Sequence, residues 1–323
     1  MQDKFHHHFD TMDSLSQQGV PYFFIIDFLM ENVEVFTEKE LSERGILVDF
    51  KGFKNVQPKE ISQDLEWKTY PEDKETYEKG FQIVQENLKK GNSYLINYTR
   101  KTKVETNRTL EEIFYLSKAK YKVFYPEKFV FFSPETFVLV EDNTITTHPM
   151  KGTIDADITN AEQILKSNEK EKAEHYTVVD LLRNDLSMVA DEVKVDAFQR
   201  VDFIKTRQKN LLAMSSEISG KVKPEFRGKI GSLMKTLLPA GSILGAPKPK
   251  TLEIILSAET NPRGYYTGVC GWFDGKDLDS CVMIRMIQQE GEELYFRSGG
   301  GITHKSQLEE EYEEMKNKIY VPK

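Results

Sequence analysis

The sequence has few cysteines, no excess of positive charge and no long apolar run, and each shortage removes a class of function. Its 323 residues include two cysteines, Cys270 and Cys281. Both fall in strand-like segments without metal-ligand spacing, so they read as free core thiols in a reducing cytoplasm. The formal net charge is −8, which argues against a nucleic-acid partner, because phosphate binding needs a basic face. No apolar run approaches the length that spans a bilayer. The start, Met1 to Asp10, is polar and carries His6, His7 and His8. It lacks the pattern of a secretory signal. With nothing nearby to fix a metal geometry, it reads as a solvated or disordered terminus. Internal repeats and low-complexity segments are missing as well.

What is present begins with a hydrophobic content of 39%, enough for a substantial core in one large domain or two small ones. Residues 21–60 alternate short apolar runs with polar turns and read as edge strands. Tyr77, Phe81, Val84 and Leu88 recur at helical spacing until Gly91. A strand is expected over Ser93–Val104, then a helix opened by a Thr109/Glu112 capping box. Strands follow at Phe129–Val140 and Thr144–His148, and a long helix at about Asn168–Val189. In the second half, strands are expected at Glu192–Phe198 and Phe203–Ser219, and helices at Lys229–Leu238 and Pro247–Ala258. Further strands are expected at Tyr265–Phe273, Ser280–Gln289 and Glu293–Ser298, before a last helix opened by a Ser306/Glu309 capping box. Strands come in antiparallel-looking groups without strict helix alternation, which predicts an α+β fold.

Two helices carry similar acidic pairs. Glu171 and Glu174 are three residues apart and share a face. On the last helix Glu311 and Glu314 flank the apolar stripe of Leu308, Tyr312, Met315 and Ile319. If the helices meet, four carboxylates converge, which requires a cation, and oxygen-only ligands suit Mg²⁺. Spacing alone favours two solvated helix faces, because Glu-rich helices are common. Gly299-Gly300-Gly301 is expected between a strand and a helix, where its N–H groups could meet an anion. The alternative is a tight turn, which would seldom need three glycines in a row. Arg285 lies in the apolar run Cys281–Arg285 and needs a partner, which a substrate carboxylate or a protein carboxylate could supply. Pro239 to Lys248 suggests a phosphate loop but lacks the Gly-Lys-Ser/Thr ending, so nucleotide binding is rejected. Lys151, pinned between Pro149-Met150 and Gly152, could be an activated amine or a solvated surface group.

Together these segments resemble the chorismate-utilising enzyme family over roughly residues 75–320. The matching stretches, in the family's order, are Ser93–Thr99, Ser133-Pro134-Glu135, Pro149–Thr153, Glu174-His175 through Leu186, Pro239–Lys248, Arg263–Gly268 and Gly299–Glu314. The resemblance implies a four-layer α/β/β/α fold of two packed antiparallel sheets. It implies residues 1–70 as shortened N-terminal strands packing on the main sheet, and 71–323 as the chorismate-binding catalytic domain. Carried over, Glu174 and Glu314 are direct Mg²⁺ ligands and Glu171 and Glu311 a water-mediated pair. Arg285, Tyr266, Thr153 and the Gly299–Gly301 backbone bind substrate, and Glu135 is the acid/base.

Members that aminate C4 to 4-amino-4-deoxychorismate, for p-aminobenzoate and folate, carry lysine where anthranilate synthases carry alanine. Here that residue is Lys151, implying covalent attack at C2 and entry of ammonia at C4. Isochorismate and salicylate synthases activate water with a lysine at the place of Leu95. Anthranilate synthase component I is the alternative, and a chorismate-binding subunit without activity is a third reading. Many relatives have histidine where this chain has Ala213. The tryptophan-binding region of relatives lies largely in the shortened N-terminal part, which puts tryptophan binding in doubt. A separate glutamine amidotransferase subunit is implied as nitrogen source, since the chain has no Cys/His/Glu amidotransferase set. The expected location is cytoplasmic, with no membrane partner.

Overall fold

The computed structural model describes residues 3–204 and 210–322; the side chains at 3–6, 151–153, 170–171, 204 and 211 lie outside the described part. The chain opens with α1 (Asp3–Gln17), β1 (Tyr22–Ile26), β2 (Val33–Phe36), α2 (Glu38–Glu43), β3 (Leu47–Asp49) and β4 (Trp67–Tyr70). It continues with α3 (Lys74–Lys89), β5 (Leu95–Thr106), α4 (Leu110–Leu116), β6 (Tyr121–Tyr125), β7 (Phe129–Ser133), β8 (Thr136–Glu141), β9 (Thr144–Thr147) and β10 (Met150–Asp155). Then come α5 (Ala161–Ser167), α6 (Glu169–Val189), β11 (Ala190–Ile204), β12 (Leu211–Val222), α7 (Ile230–Leu237), α8 (Gly241–Leu244) and β13 (Gly245–Ala246). The last elements are α9 (Lys248–Ala258), β14 (Val269–Phe273), β15 (Leu278–Val282), β16 (Met286–Glu290), β17 (Glu293–Ile302) and α10 (Leu308–Asn317).

The strands form two antiparallel sheets. One runs β10-β12-β9-β8-β15-β14-β1-β2, with β11 on the other side of β12. The second runs β13-β5-β17-β16-β7-β6-β3, with β4 also on β5. The fold is α+β, as the sequence pattern predicts. Strands before residue 71 join both sheets: β1 and β2 at one edge of the first, β3 and β4 on the second.

Alternation along β1 explains the layering. Phe23 and Ile25 join Cys270, Trp272 and Cys281 in a core that also holds Tyr121, Val123, Phe129 and Phe131 of the second sheet. Tyr22, Phe24 and Ile26 instead pack with Phe9 and Met12 of α1. All five β1 side chains are buried, each worth roughly 1.5–3 kcal/mol. The first sheet is therefore covered by its partner sheet on one face and by helices on the other. Cys270 and Cys281 are free, buried cross-strand neighbours with sulfurs 3.5 Å apart; burial pushes the Cys281 thiol up.

Helix α1 corrects the expectation of a disordered terminus. Phe9 and Met12, three residues apart, supply its buried stripe against α7. A Cβ at Gly231 would stand 1.9 Å from the Phe9 carbonyl, so only glycine permits this approach. Asp13 accepts the Ser232 N–H at 2.9 Å. His7 and His8 are exposed, and the side chain of His6 lies outside the described residues. Among the described residues no helix is long and apolar enough to cross a membrane.

Candidate active site

The run Ser280–Gln289 is not one strand. Its first part, β15, belongs to the first sheet, and β16 belongs to the second. Met283, Ile284 and Arg285 carry the chain between the sheets, and Arg285 adopts φ 54°. The expectation that Arg285 sits in a strand is thus corrected. A continuous apolar run hides the change because its residues are buried on either side of it. Ser133-Pro134-Glu135 makes the same passage beside it, from β7 to β8.

Backbone hydrogen bonds lock the two crossings together. Val282 N–H donates to the Glu135 carbonyl at 3.2 Å, and Phe132 N–H to the Arg285 carbonyl at 3.2 Å. The Arg263–Gly268 turn joins them, Thr267 N–H donating to the Met283 carbonyl and Met283 N–H to the Gly268 carbonyl, both at 2.8 Å. Tyr266 lies in this turn, before β14 begins, and not in the strand expected over Tyr265–Phe273. Glu135, Tyr266 and Arg285, far apart in sequence, therefore share one corner.

Three arginines and a glutamate surround Tyr266. Burial pushes its hydroxyl up to about 12; Arg263, Arg285 and Arg297 pull it down, and Glu259 pushes it further up. Arg285 is half-buried; its Nη1 donates to the Lys318 carbonyl at 3.0 Å, and the guanidinium lies 5.1 Å from the Tyr320 ring centroid. Among the described residues no protein carboxylate forms a salt bridge with it. A planar, half-buried cation so placed suits a ligand carboxylate.

Gly299, Gly300 and Gly301 are part of β17, in register with Thr99, Tyr98 and Asn97 of β5. The expected glycine loop opening a helix is corrected: α10 starts only at Leu308. The glycines are explained by close approach. A Cβ at Gly299 would lie 2.1 Å from the Tyr98 carbonyl, and one at Gly300 would meet Glu314 Oε1 at 3.0 Å and Glu311 Oε2 at 3.4 Å. Two carboxylates of α10 thus come together over the bare backbone at Gly300. Ser306 does not cap α10; its hydroxyl accepts the Thr303 N–H at 3.1 Å.

Glu311 is buried and Glu314 exposed. Glu174 is half-buried on α6, and the side chain of Glu171 lies outside the described residues. Among the described residues no group of three or more His, Cys, Asp or Glu side chains gathers as a metal site. The Glu311/Glu314 pair, oxygen-only and partly desolvated, fits a hard cation. Lys318 was not anticipated; its ammonium donates to Glu314 Oε1 at 2.5 Å and to the Gly299 carbonyl at 2.8 Å. Its position four residues after Glu314 was the available signal.

Lys151 and Thr153 are in β10, opposite Met214 and Ala213 of β12, with a register shift between them; their side chains, like any at Gly152, are outside the described residues. Ala213 is fully buried. His175, on α6, is buried with Nε2 2.7 Å from the Ser216 hydroxyl. Ser242, also unanticipated, donates to Glu135 Oε1 at 2.6 Å.

A family model described as chorismate binding enzyme matches residues 25–323. The chain belongs to this family. An "Uncharacterized PabA-like protein" of Haemophilus influenzae is 46% identical over 321 residues, 99% of this chain and 98% of that protein. The crystal structure of anthranilate synthase component I from Streptococcus pneumoniae superposes with a TM-score of 0.68 at 26% identity, over 79% of this chain and 58% of that chain. The menaquinone-specific isochorismate synthase MenF from Escherichia coli shares the fold, with a TM-score of 0.67 at 17% identity over 96% of this chain and 89% of that one. The family match takes in most of this chorismate-binding enzyme's chain, which covers just over half of that anthranilate synthase.

Proposed function

We propose that this chorismate-utilising enzyme aminates chorismate at C4 to give 4-amino-4-deoxychorismate, on the way to p-aminobenzoate and folate. The observation that carries this reading is a lysine at position 151, on the strand whose family motif distinguishes amination at C4 from anthranilate formation. The corner of Arg285 and Tyr266 supports it by offering a carboxylate clamp, with Thr153 and the Gly299–Gly301 strand completing the substrate surface.

In this scheme Lys151 Nζ forms a bond to C2 as the C4–O bond breaks, and Glu135 gives the leaving oxygen its proton. Ammonia then bonds to C4 as the Nζ–C2 bond breaks, restoring the lysine. Glu174 and Glu314, with Glu171 and Glu311 around them, would hold Mg²⁺. Bound there, Mg²⁺ would supply Lewis-acid polarisation of the ring carboxylate. Nitrogen would come from free ammonia or from a separate glutamine amidotransferase subunit, as in relatives that pair with one.

The test is incubation with chorismate, Mg²⁺ and an ammonium salt, with and without an aminodeoxychorismate lyase, and identification of the product by mass. The expected product is 4-amino-4-deoxychorismate, and Lys151→Ala loses amination while still binding chorismate. Normal turnover by that variant overturns the covalent scheme. The likeness to an anthranilate synthase supports a second reading; free anthranilate formed without lyase would favour it. Binding of chorismate without consumption would leave a binding subunit.

A further inference from the structure

We propose that Ser242 is a positioning residue that sets the orientation of the Glu135 carboxylate. This deepens the proposed chemistry and rests on the acid/base role given to Glu135. A glutamate has three side-chain torsions, and the last is broad and weakly restrained. A carboxyl that must deliver a proton to one oxygen needs that torsion fixed, since a misplacement of about 1 Å can cost about 100-fold in rate. Ser242 supplies the restraint, its hydroxyl donating to Oε1 at 2.6 Å. At the other end, Glu135 N–H donates to Ser133 Oγ at 3.1 Å, so the backbone is fixed beside the side chain.

The restraint works only if the backbone carrying Ser242 is held, and its neighbours on both sides are. Arg263 Nη1 donates to the carbonyl of Ile243, the next residue, at 3.0 Å. Arg263 is in turn fixed by the buried carboxylate of Glu259, its Nη2 2.7 Å from Oε1. On the other side of Ser242, Gly241 lies against Asp185, where a Cβ would stand 2.6 Å from Oδ2. Asp185 is anchored by Lys248, Nζ to Oδ1 at 2.9 Å. Beyond α8, Gly245 and Ala246 pair with Ile96 and Leu95. The four-residue α8 therefore behaves as a rigid peg carrying one hydroxyl to Glu135. The motif earlier rejected as a phosphate loop gains a use that involves no phosphate.

The experiment combines Ser242→Ala, Ser242→Thr, Glu135→Gln and the double variant Ser242→Ala/Glu135→Gln. Turnover is measured with chorismate, Mg²⁺ and ammonium, and the Glu135 side chain is observed in a crystal structure of Ser242→Ala. We expect Ser242→Ala to lower kcat by about 30-fold with KM little changed, a part of the full misplacement cost. Ser242→Thr, which keeps the hydroxyl, restores most of that loss. In the Glu135→Gln background, adding Ser242→Ala costs little more, because the serine acts through the acid. The crystal structure shows the Glu135 carboxylate turned or spread over several orientations. Additive losses, or a KM rise in place of the kcat fall, overturn the proposal by making Ser242 an independent group. An unmoved Glu135 carboxylate in Ser242→Ala overturns it without any rate measurement. If the unaltered enzyme consumes no chorismate, the chemistry proposed for Glu135 falls, while the crystal structure still decides whether Ser242 orients it.

Discussion

Glu259 and Glu135 flank the same corner and are held in opposite ways. The Glu259 carboxylate is buried; Oε1 accepts the Thr99 N–H at 2.9 Å, the Thr99 hydroxyl at 3.0 Å and Arg263 Nη2 at 2.7 Å, and Oε2 accepts Arg263 Nε at 2.9 Å. Every donor sits on a strand or a pinned turn. Glu135 accepts from a serine hydroxyl, a donor that can itself rotate. One carboxylate ties β5 to the Arg263 turn, and the other accepts a hydroxyl from α8. Donor type, not residue identity, separates the two arrangements.

The contrast is broken most directly by neutralising each acid in turn. Glu135→Gln keeps the shape and removes the proton, so turnover should fall by about 10²–10⁴-fold with an unchanged melting temperature. A variant that keeps wild-type kcat would show that the acid is elsewhere. Glu259→Gln should do the reverse. It leaves the Arg263 charge buried and unmatched, which costs about 3–5 kcal/mol, and thermal denaturation should show a clear drop in Tm. Full stability of that variant would mean the pair is dispensable to the fold.

A third change sharpens the comparison at the other carboxylates. Gly300→Ala places a methyl against Glu314 Oε1 and Glu311 Oε2. Both are ends of flexible side chains, so the fold survives while the carboxylates are pushed apart. The Mg²⁺ concentration for half-maximal turnover should rise by about tenfold, equivalent to about 1.4 kcal/mol. An unaltered Mg²⁺ requirement would separate those two residues from the metal.

The smallest effect concerns Glu34, which accepts from Tyr265 of the Arg263–Gly268 turn. Burial would raise its pKa, but donation from Tyr265, Tyr125 and Lys128 overcomes that and holds it below the usual carboxylate value. A depressed carboxyl stabilises the fold fully above its unfolded pKa, and the contribution disappears as pH falls through the folded one. Acid denaturation of Glu34→Gln should therefore lack that part of the pH slope. The group is only part-buried, so solvent screening keeps the difference small. Identical acid profiles would assign the slope to other groups.

The helices were readable because their signals are local. α6, α7 and α9 fall within a residue or two of the spans predicted from periodicity, and the Thr109/Glu112 capping box is present. α1 escaped because two apolar anchors among histidines and acids resemble a solvated tail. The corner escaped for a different reason. Period-two patterning reports that a residue is buried but not in which sheet, so nothing marks Met283–Arg285 as a passage between layers. The glycine triplet misled because close strand approach and loop geometry both demand glycine. Glu135, Lys151 and Arg285 were selectable through the family resemblance; Ser242 lies inside its Pro239–Lys248 stretch, but nothing local ties it to Glu135, 107 positions away.

The side-by-side thiols of Cys270 and Cys281 offer a further use of the architecture. They lie in the buried seam between the sheets, in one cluster with Trp272, Phe129 and Phe131. A colourimetric sulfhydryl reagent can reach them only when that seam parts, so its uptake times the rarest opening of the molecule. Ligands that brace the corner from outside should slow that clock without touching either sulfur.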